Sequence, residues 1–246
     1  MIRLDKLLCD QGLGTRSFVK ELIKKGCVLV NGKPCLDSGW KVNPERDEVQ
    51  ADGQRVSLAV FHYGMLNKPP GILTAAMDKR AKTVADILPQ KYRAMGLMPV
   101  GRLDKDARGL LLFTTDGPLA HFLLSPKRHV EKRYRVKVDG PLSESDIAAF
   151  AQGLQLSDFV AKPAKLEILH SGLAESQADV IISEGKFHQV KRMFLSRGRT
   201  VLDLQRICFG SLVLDEALSE GAFRELTPLE VSALKLNGHG EDAENA

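Results

Sequence analysis

Two short segments concentrate the side chains able to do chemistry. The first reads Gly101-Arg102-Leu103-Asp104-Lys105-Asp106-Ala107-Arg108-Gly109 and leads straight into the apolar run from Leu110 to Thr115. Such a run, closed by Asp116-Gly117, is expected to be a buried strand, and a loop fixed by a rigid strand is a good place for a reactive group. Asp104 stands between Arg102 and Lys105, and cations on both sides favour the ionised carboxylate wherever the site is partly desolvated. The chemistry on offer is that of a poised carboxylate. Taken alone, the segment fits a turn carboxylate or a helix cap equally well.

The second segment is Glu184-Gly185-Lys186-Phe187-His188-Gln189-Val190-Lys191-Arg192-Met193-Phe194, where a strand should end and a helix begin. Helical spacing puts His188, Lys191 and Arg192 on one face at i, i+3 and i+4, while Val190, Met193 and Phe194 turn inward. A cation presented there can pair with a carboxylate from another strand; a merely solvated basic face has the same pattern. A third stretch, Lys132-Arg133-Tyr134-Arg135, sets a tyrosine between cations at a strand start. Tyrosine can stack on a base and hydrogen-bond through its hydroxyl, and the flanking cations suit phosphates. An aromatic at the rim of a core strand explains that stretch too.

What is missing narrows the chemistry. No Gly-x-x-x-x-Gly-Lys-Ser/Thr loop, no Gly-x-Gly-x-x-Gly after a strand and no zinc spacing occurs, so the reaction is expected to need neither cofactor nor metal. The four cysteines, Cys9, Cys27, Cys35 and Cys208, are scattered and read as reduced, mostly buried thiols. His62, His121, His129 and His170 have no visible partner and read as structural. No stretch approaches the roughly 20 apolar residues of a membrane span, and the start lacks a signal-like apolar run, so a cytoplasmic location is expected. The formal net charge of +4 is small, but the charges are segregated. Lys79 to Arg135 holds 13 Lys/Arg against 5 Asp/Glu, and Lys186 to Arg206 holds 6 against 1, while Asp215 to the end holds 2 against 8. One strongly positive face suits a polyanion, because each neutralised phosphate releases condensed counterions.

The elements that must position these groups fall into two parts. In residues 1–58, Leu4, Leu7 and Leu8 form one helical stripe. A second helix is expected from an N-cap at Ser17 to Gly26, with Val19, Leu22 and Ile23 inward and Lys20, Lys24 and Lys25 outward. Asn31-Gly32, after Val28 to Val30, is a two-residue hairpin turn. From Phe61 short strands alternate with a few helices: strands at 63–67, 109–115, 134–138, 178–183, 200–208 and 211–214, helices at 84–88, 143–150 and 188–197. That order predicts an α+β catalytic domain over 59–236 with a mixed, largely antiparallel sheet flanked by helices, preceded by a small α/β domain. The last ten residues, 237–246, are polar and expected to form a disordered tail. No coiled-coil pattern or long apolar edge occurs, which predicts a monomer.

Together these segments resemble the RsuA-type family of ribosomal RNA pseudouridine synthases. The resemblance is carried by Met65-Leu66-Asn67-Lys68-Pro69-Pro70-Gly71, Gly101-Arg102-Leu103-Asp104, Glu131-Lys132-Arg133-Tyr134, Lys162-Pro163-Ala164 and Ser183 to Phe194, in the family's order. Residues 1–58 resemble the small RNA-binding domain first described in ribosomal small-subunit protein four. The resemblance implies the pseudouridine synthase fold and the cofactor-free conversion of one uridine to pseudouridine. It makes Asp104 the essential carboxylate, Lys191 its cationic partner at a position where the family often has arginine, and Tyr134 the residue that stacks on uracil and helps remove the carbon-5 proton. Arg102 is then the candidate to fill the space left by the extruded base or to hold a phosphate, with Lys68, Arg133 and Arg192 beside the RNA path. Arg3, Lys6, Arg16, Lys20, Lys24 and Lys25 are the expected second hold on the same RNA. Small-subunit ribosomal RNA is the implied target, at uridine 516. Large-subunit RNA and a non-catalytic ribosome-assembly role are the alternatives.

Overall fold

The computed structural model describes residues 1–44, 46–56, 58 and 61–239. The chain divides into two compact units, one formed by Met1–His62 with Leu88–Met98, the other by Tyr63–Ile87 with the chain from Pro99 onward.

The first unit contains β1 (Ile2–Arg3), α1 (Leu4–Asp10), α2 (Arg16–Lys24), β2 (Val28–Val30), β3 (Lys33–Pro34), β4 (Lys41–Val42), β5 (Val49–Ala51) and β6 (Gln54–Val56). Strands β3-β2-β5-β6 make an antiparallel sheet, and β1 pairs with β4. The stripe Leu4, Leu7 and Leu8 meets Val19, Ile23, Val28, Val42 and Val49 in one core, with Leu22 at its edge. The cap of α2 differs from expectation: Thr15, not Ser17, is the N-cap, its hydroxyl accepting from the Phe18 amide at 3.3 Å. Asn31 and Gly32 turn the β2–β3 hairpin with φ of 52° and 76°, as the two-residue turn requires.

Next come β7 (Tyr63–Lys68), α3 (Val84–Ile87), α4 (Gln90–Ala94), β8 (Met98–Pro99), β9 (Arg108–Thr114), α5 (Gly117–Leu124), β10 (Lys132–Asp139), α6 (Glu144–Gln152), β11 (Lys165–Ser171), β12 (Glu175–Ile182), α7 (Gln189–Ser196), β13 (Val201–Phe209), β14 (Leu212–Val213), β15 (Phe223–Glu225) and α8 (Pro228–His239). The second unit is built on a sheet with the order β11-β12-β10-β13-β9-β7-β15. Its pairings are antiparallel except at β13–β9, where Gln205 lies opposite Arg108 and Arg206 opposite Gly109. This is the mixed, largely antiparallel α+β sheet that the sequence predicts.

Leu110, Leu111, Leu112 and Phe113 of β9 are all fully buried; Leu110 and Leu112 share a core with Leu119 and Leu123 of α5 and Leu234 of α8, and Phe113 meets the Phe223 ring edge-on. Burying four such side chains contributes roughly 6–12 kcal/mol before chain entropy is counted. β10 alternates instead, with Tyr134, Val136 and Val138 inward. Asp116 and Gly117 do more than stop β9. The Asp116 carboxylate accepts from the Leu119 amide at 3.0 Å and so caps α5, and it also accepts from the Tyr63 hydroxyl at 2.7 Å. Two expectations change. The cysteines are free thiols but only half-buried. Helix α8 runs on to His239, so 237–239 are helical, while 240–246 of the expected tail lie outside the described residues. Among the described residues no helix is long and apolar enough to cross a membrane.

Candidate active site

The loop between β8 and β9 is strapped at several points. The Val100 amide donates to the Leu112 carbonyl at 2.7 Å, and the buried Thr74 hydroxyl both donates to the Leu103 carbonyl (2.8 Å) and accepts from the Leu103 amide (3.1 Å). The Gly71 amide reaches the Lys105 carbonyl at 2.7 Å. Lys68, at the end of β7, is 0% exposed, and its ammonium donates to the carbonyls of Pro69, Asp104, Lys105 and Ala107 at 3.1, 3.1, 3.2 and 2.7 Å. The chain around Asp104 is therefore wrapped on a buried cation. Burial pushes the Lys68 ammonium down to about 8, with the charges of Asp106 and Asp104 acting the other way.

Held this way, the Asp104 carboxylate is 25% exposed and meets the start of α7. Lys191 Nζ lies 3.5 Å from Asp104 Oδ2 and donates to Asp106 Oδ1 at 2.5 Å, while His188 Nε2 lies 3.7 Å from Asp104 Oδ1. The hydrogen bond from Lys191 holds the Asp106 carboxyl below its ordinary range. The turn that delivers α7 is fixed by Gln189, whose amide nitrogen donates to Glu184 Oε1 (2.7 Å) and whose oxygen accepts from the Lys186 amide (3.0 Å). His188 adopts the left-handed conformation there, φ 50°, and its ring stacks on Phe187 at 3.8 Å. Asp104 opens into a small pocket walled by Arg102, Tyr134, Ile182, His188 and Leu204. Tyr134, from the centre of β10, is mostly buried and offers that pocket an aromatic wall. A carboxylate, an adjacent lysine and an aromatic surface can receive a flat neutral ring and act on its bond to a sugar.

Residues 62–196 match the family of RNA pseudouridylate synthases, and residues 2–49 match the S4 domain. The chain belongs to the RNA pseudouridine synthase family. It is 43% identical to the RNA pseudouridine synthase YtzG of Bacillus subtilis (strain 168), covering 95% of this chain and 98% of that protein. It is 37% identical to the ribosomal small subunit pseudouridine synthase A of Escherichia coli (strain K12), covering 95% of this chain and all of that one. A crystal structure of a pseudouridylate synthase aligns over 95% of this chain and 100% of its own with a TM-score of 0.65 and 37% identity.

The synthase brings Arg102, Asp104, Tyr134 and Lys191 to one place, out of segments far apart in sequence. Three other residues expected along the RNA are elsewhere. Lys68 is wholly buried with its hydrogens committed to carbonyls, so it cannot meet a phosphate. Arg133 lies on the face of β10 opposite Tyr134, as strand alternation requires, and binds Asp179 at 3.0 Å and Glu167 at 2.5 Å. The Asp179 carboxylate is buried, and Arg133 and Arg135 together supply the charge it needs. Arg192 pairs with Asp158, donates to the Ser157 hydroxyl at 2.9 Å and lies over the Phe159 ring, one helical step away from the Asp104 side of α7.

In the S4 unit of the synthase, Arg16, Lys20, Lys24 and Lys25 are exposed. Arg3 forms a two-pronged bond with Asp5 at 3.0 and 2.9 Å, and Lys6 pairs with Asp10 at 2.5 Å. The residue that sequence reasoning passed over is Asp106, the stronger of the two partners of Lys191. Its position two residues after Asp104 in a loop rich in charge is the only local signal for it.

Proposed function

We propose that this synthase converts one uridine of small-subunit ribosomal RNA, uridine 516, to pseudouridine, with Asp104 as the essential carboxylate. The observation that carries this reading is the Asp104 carboxylate 3.5 Å from Lys191 in a pocket walled by Tyr134. In the reaction the bond from ribose C1′ to uracil N1 breaks, the base turns, and a bond from C1′ to C5 forms; C5 gives up a proton and N1 takes one, so no redox partner is needed. Asp104 acts at the ribose or the base, Lys191 keeps it oriented, and Tyr134 stacks on the uracil and assists the departure of the C5 proton. Arg102 enters the space vacated by the extruded nucleotide, a step that costs a few kcal/mol. The small-subunit target is supported by relatives named for that activity, which align with this chain over nearly its whole length. The protein acts in the cytoplasm as a monomer.

Lys191→Met should lower kcat about a hundredfold, because a misplaced carboxylate loses the near-attack geometry, while Lys191→Arg should recover activity to within about tenfold. Tritium release from carbon-5-labelled uridine in a small-subunit rRNA transcript measures both, with a large-subunit transcript expected to stay inert. Equal rates for the Met and Arg variants would remove Lys191 from its role, and turnover of the large-subunit transcript alone would move the target.

The S4 unit supplies a second hold on the RNA through Arg3, Lys6, Arg16, Lys20, Lys24 and Lys25. Charge reversal of Lys20, Lys24 and Lys25 to Glu should weaken rRNA binding and flatten the plot of log affinity against log salt by about 2, since each lost phosphate contact removes roughly 0.7–0.9 from the slope. An unchanged slope would take that helix off the contact surface.

A further inference from the structure

Tyr134 also lines a second cavity, of about 230 Å³. It shares Arg102, Tyr134, Gly185 and Lys186 with the Asp104 pocket and is otherwise walled by Lys132, Arg206, Leu124 and Phe209 among others. Arg206 is only 2% exposed. Its Nε donates to the Leu110 carbonyl at 2.8 Å, while its buried Nη2 has no acceptor. Lys132 Nζ donates to the Val130 carbonyl at 2.6 Å. Both cations lie against the ring of Phe209, at 5.7 Å for Lys132 and 5.1 Å for Arg206, so they share one wall. The carboxylate in the lining, Glu184, is held through Oε1, which accepts from the Lys162 amide at 2.9 Å and from Gln189 at 2.7 Å. Neither Lys132 nor Arg206 forms an ion pair with a described residue.

Two cations side by side, one buried and one half-buried, share a single lining carboxylate; burial together with the charge of Arg206 pushes the Lys132 ammonium down to about 8, with the charge of Glu184 acting the other way. The fold nonetheless fixes them there. Arg206 lies in parallel register with Gly109, where a Cβ would come within 2.4 Å of the Arg206 carbonyl oxygen, so only a bare backbone permits the approach. A group of two oxygens bearing one negative charge would satisfy the spare donors of Arg206 and Lys132 together, and the non-bridging oxygens of a phosphodiester have that form.

We propose that this cavity is a phosphate subsite, which takes a backbone phosphodiester next to the uridine held against Tyr134. The inference rests on the reading that the substrate uridine enters the Asp104 pocket. Because the two cavities share walls, an RNA strand that places a base in one brings a neighbouring phosphate to the other. The subsite would fix the strand while the base turns, which requires the ribose to stay still.

Two arms of one experiment test it on the full chain. In the first, the protein labelled with ¹³C at the lysine Cε is titrated with inorganic phosphate and followed by NMR. The expected result is a saturable shift of the Lys132 signal and a rise of its pKa by about one unit, both lost in Arg206→Met; no shift of Lys132 would overturn the subsite. In the second, binding of a small-subunit rRNA transcript is measured across salt concentrations for wild type, Lys132→Met and Lys132→Arg. Lys132→Met should bind about tenfold more weakly with a slope smaller by roughly 0.7–0.9, and Lys132→Arg should keep the wild-type slope. A phosphate response in the first arm with an unchanged slope in the second would make the cavity a site for free phosphate and overturn the RNA assignment. Failure of wild type to bind the transcript would count against the rRNA target, and the first arm would still decide whether an anion binds. Thermal unfolding of each variant separates loss of the subsite from loss of the fold.

Discussion

Asp104→Asn should leave a folded chain that binds rRNA within a few fold of wild type and releases tritium from carbon-5-labelled uridine at least about a thousandfold more slowly. The amide has the size of the carboxylate, and the loop that carries it is held by the Lys68 ammonium, the Thr74 hydroxyl and the Gly71 amide, all of which bind backbone atoms that the substitution does not touch. What disappears is the negative charge that Lys191 faces at 3.5 Å. A thousandfold loss corresponds to about 4 kcal/mol of barrier at 1.36 kcal/mol per factor of ten. Because most contacts to a polyanion are made by cations elsewhere on the protein, affinity should change little. A variant that still turned over at the normal rate would end the assignment of Asp104, and one that failed to bind RNA would show that the side chain holds substrate rather than transforms it.

Lys68→Met should act through the fold. The ammonium is the common donor to four carbonyls, three of them in the segment Asp104 to Ala107. Methionine fills the volume but removes the donor from all four oxygens; the Lys105 and Asp104 carbonyls keep the Gly71 and Ala107 amides, while those of Pro69 and Ala107 lose their ammonium donor, at a cost of about 2–5 kcal/mol. In a chain of this size each kcal/mol lowers Tm by roughly 2–4 °C, so calorimetry should show a fall of about 4–20 °C, together with loss of turnover as the Asp104 loop relaxes. The salt dependence of RNA binding should stay as it is in wild type. If Tm held and the salt slope dropped, Lys68 would be a phosphate contact after all, against its complete burial.

Lys68 also shows where sequence reading stops. The stretch Asn67-Lys68-Pro69 looks like an exposed turn, because a lysine before a proline carries no local mark of burial. Three of its four acceptors lie 36 to 39 residues further on, and only the β7–β9 pairing brings them into reach. The partners of Arg192 are hidden from sequence for the same reason, since Ser157 and Asp158 belong to a distant loop. Arg133 is a different case: strand alternation already sets it opposite Tyr134, and only its attraction to the buried Asp179 had to come from the structure.

The legible parts were those with strong local patterns. The apolar run of β9, the alternation of β10 and the leucine stripe of α1 each occupy the predicted place. Asp116-Gly117 was legible as an end to β9 but not as a helix start, because an Asp-Gly pair serves turns and caps alike. The strands of two or three residues in the first unit are too short to show any period. Family resemblance predicts the approach of Lys191 to Asp104; its sharing with Asp106 is visible only in the fold.

The most direct measurement is pseudouridine mapping at single-nucleotide resolution across ribosomal RNA from cells lacking this protein, complemented with the wild-type chain or with Asp104→Asn. One small-subunit uridine should lose its modification in the deletion, regain it with the wild-type chain and stay unmodified with the variant. Restoration of that site by Asp104→Asn, or an rRNA map that does not change on deletion, would contradict the account.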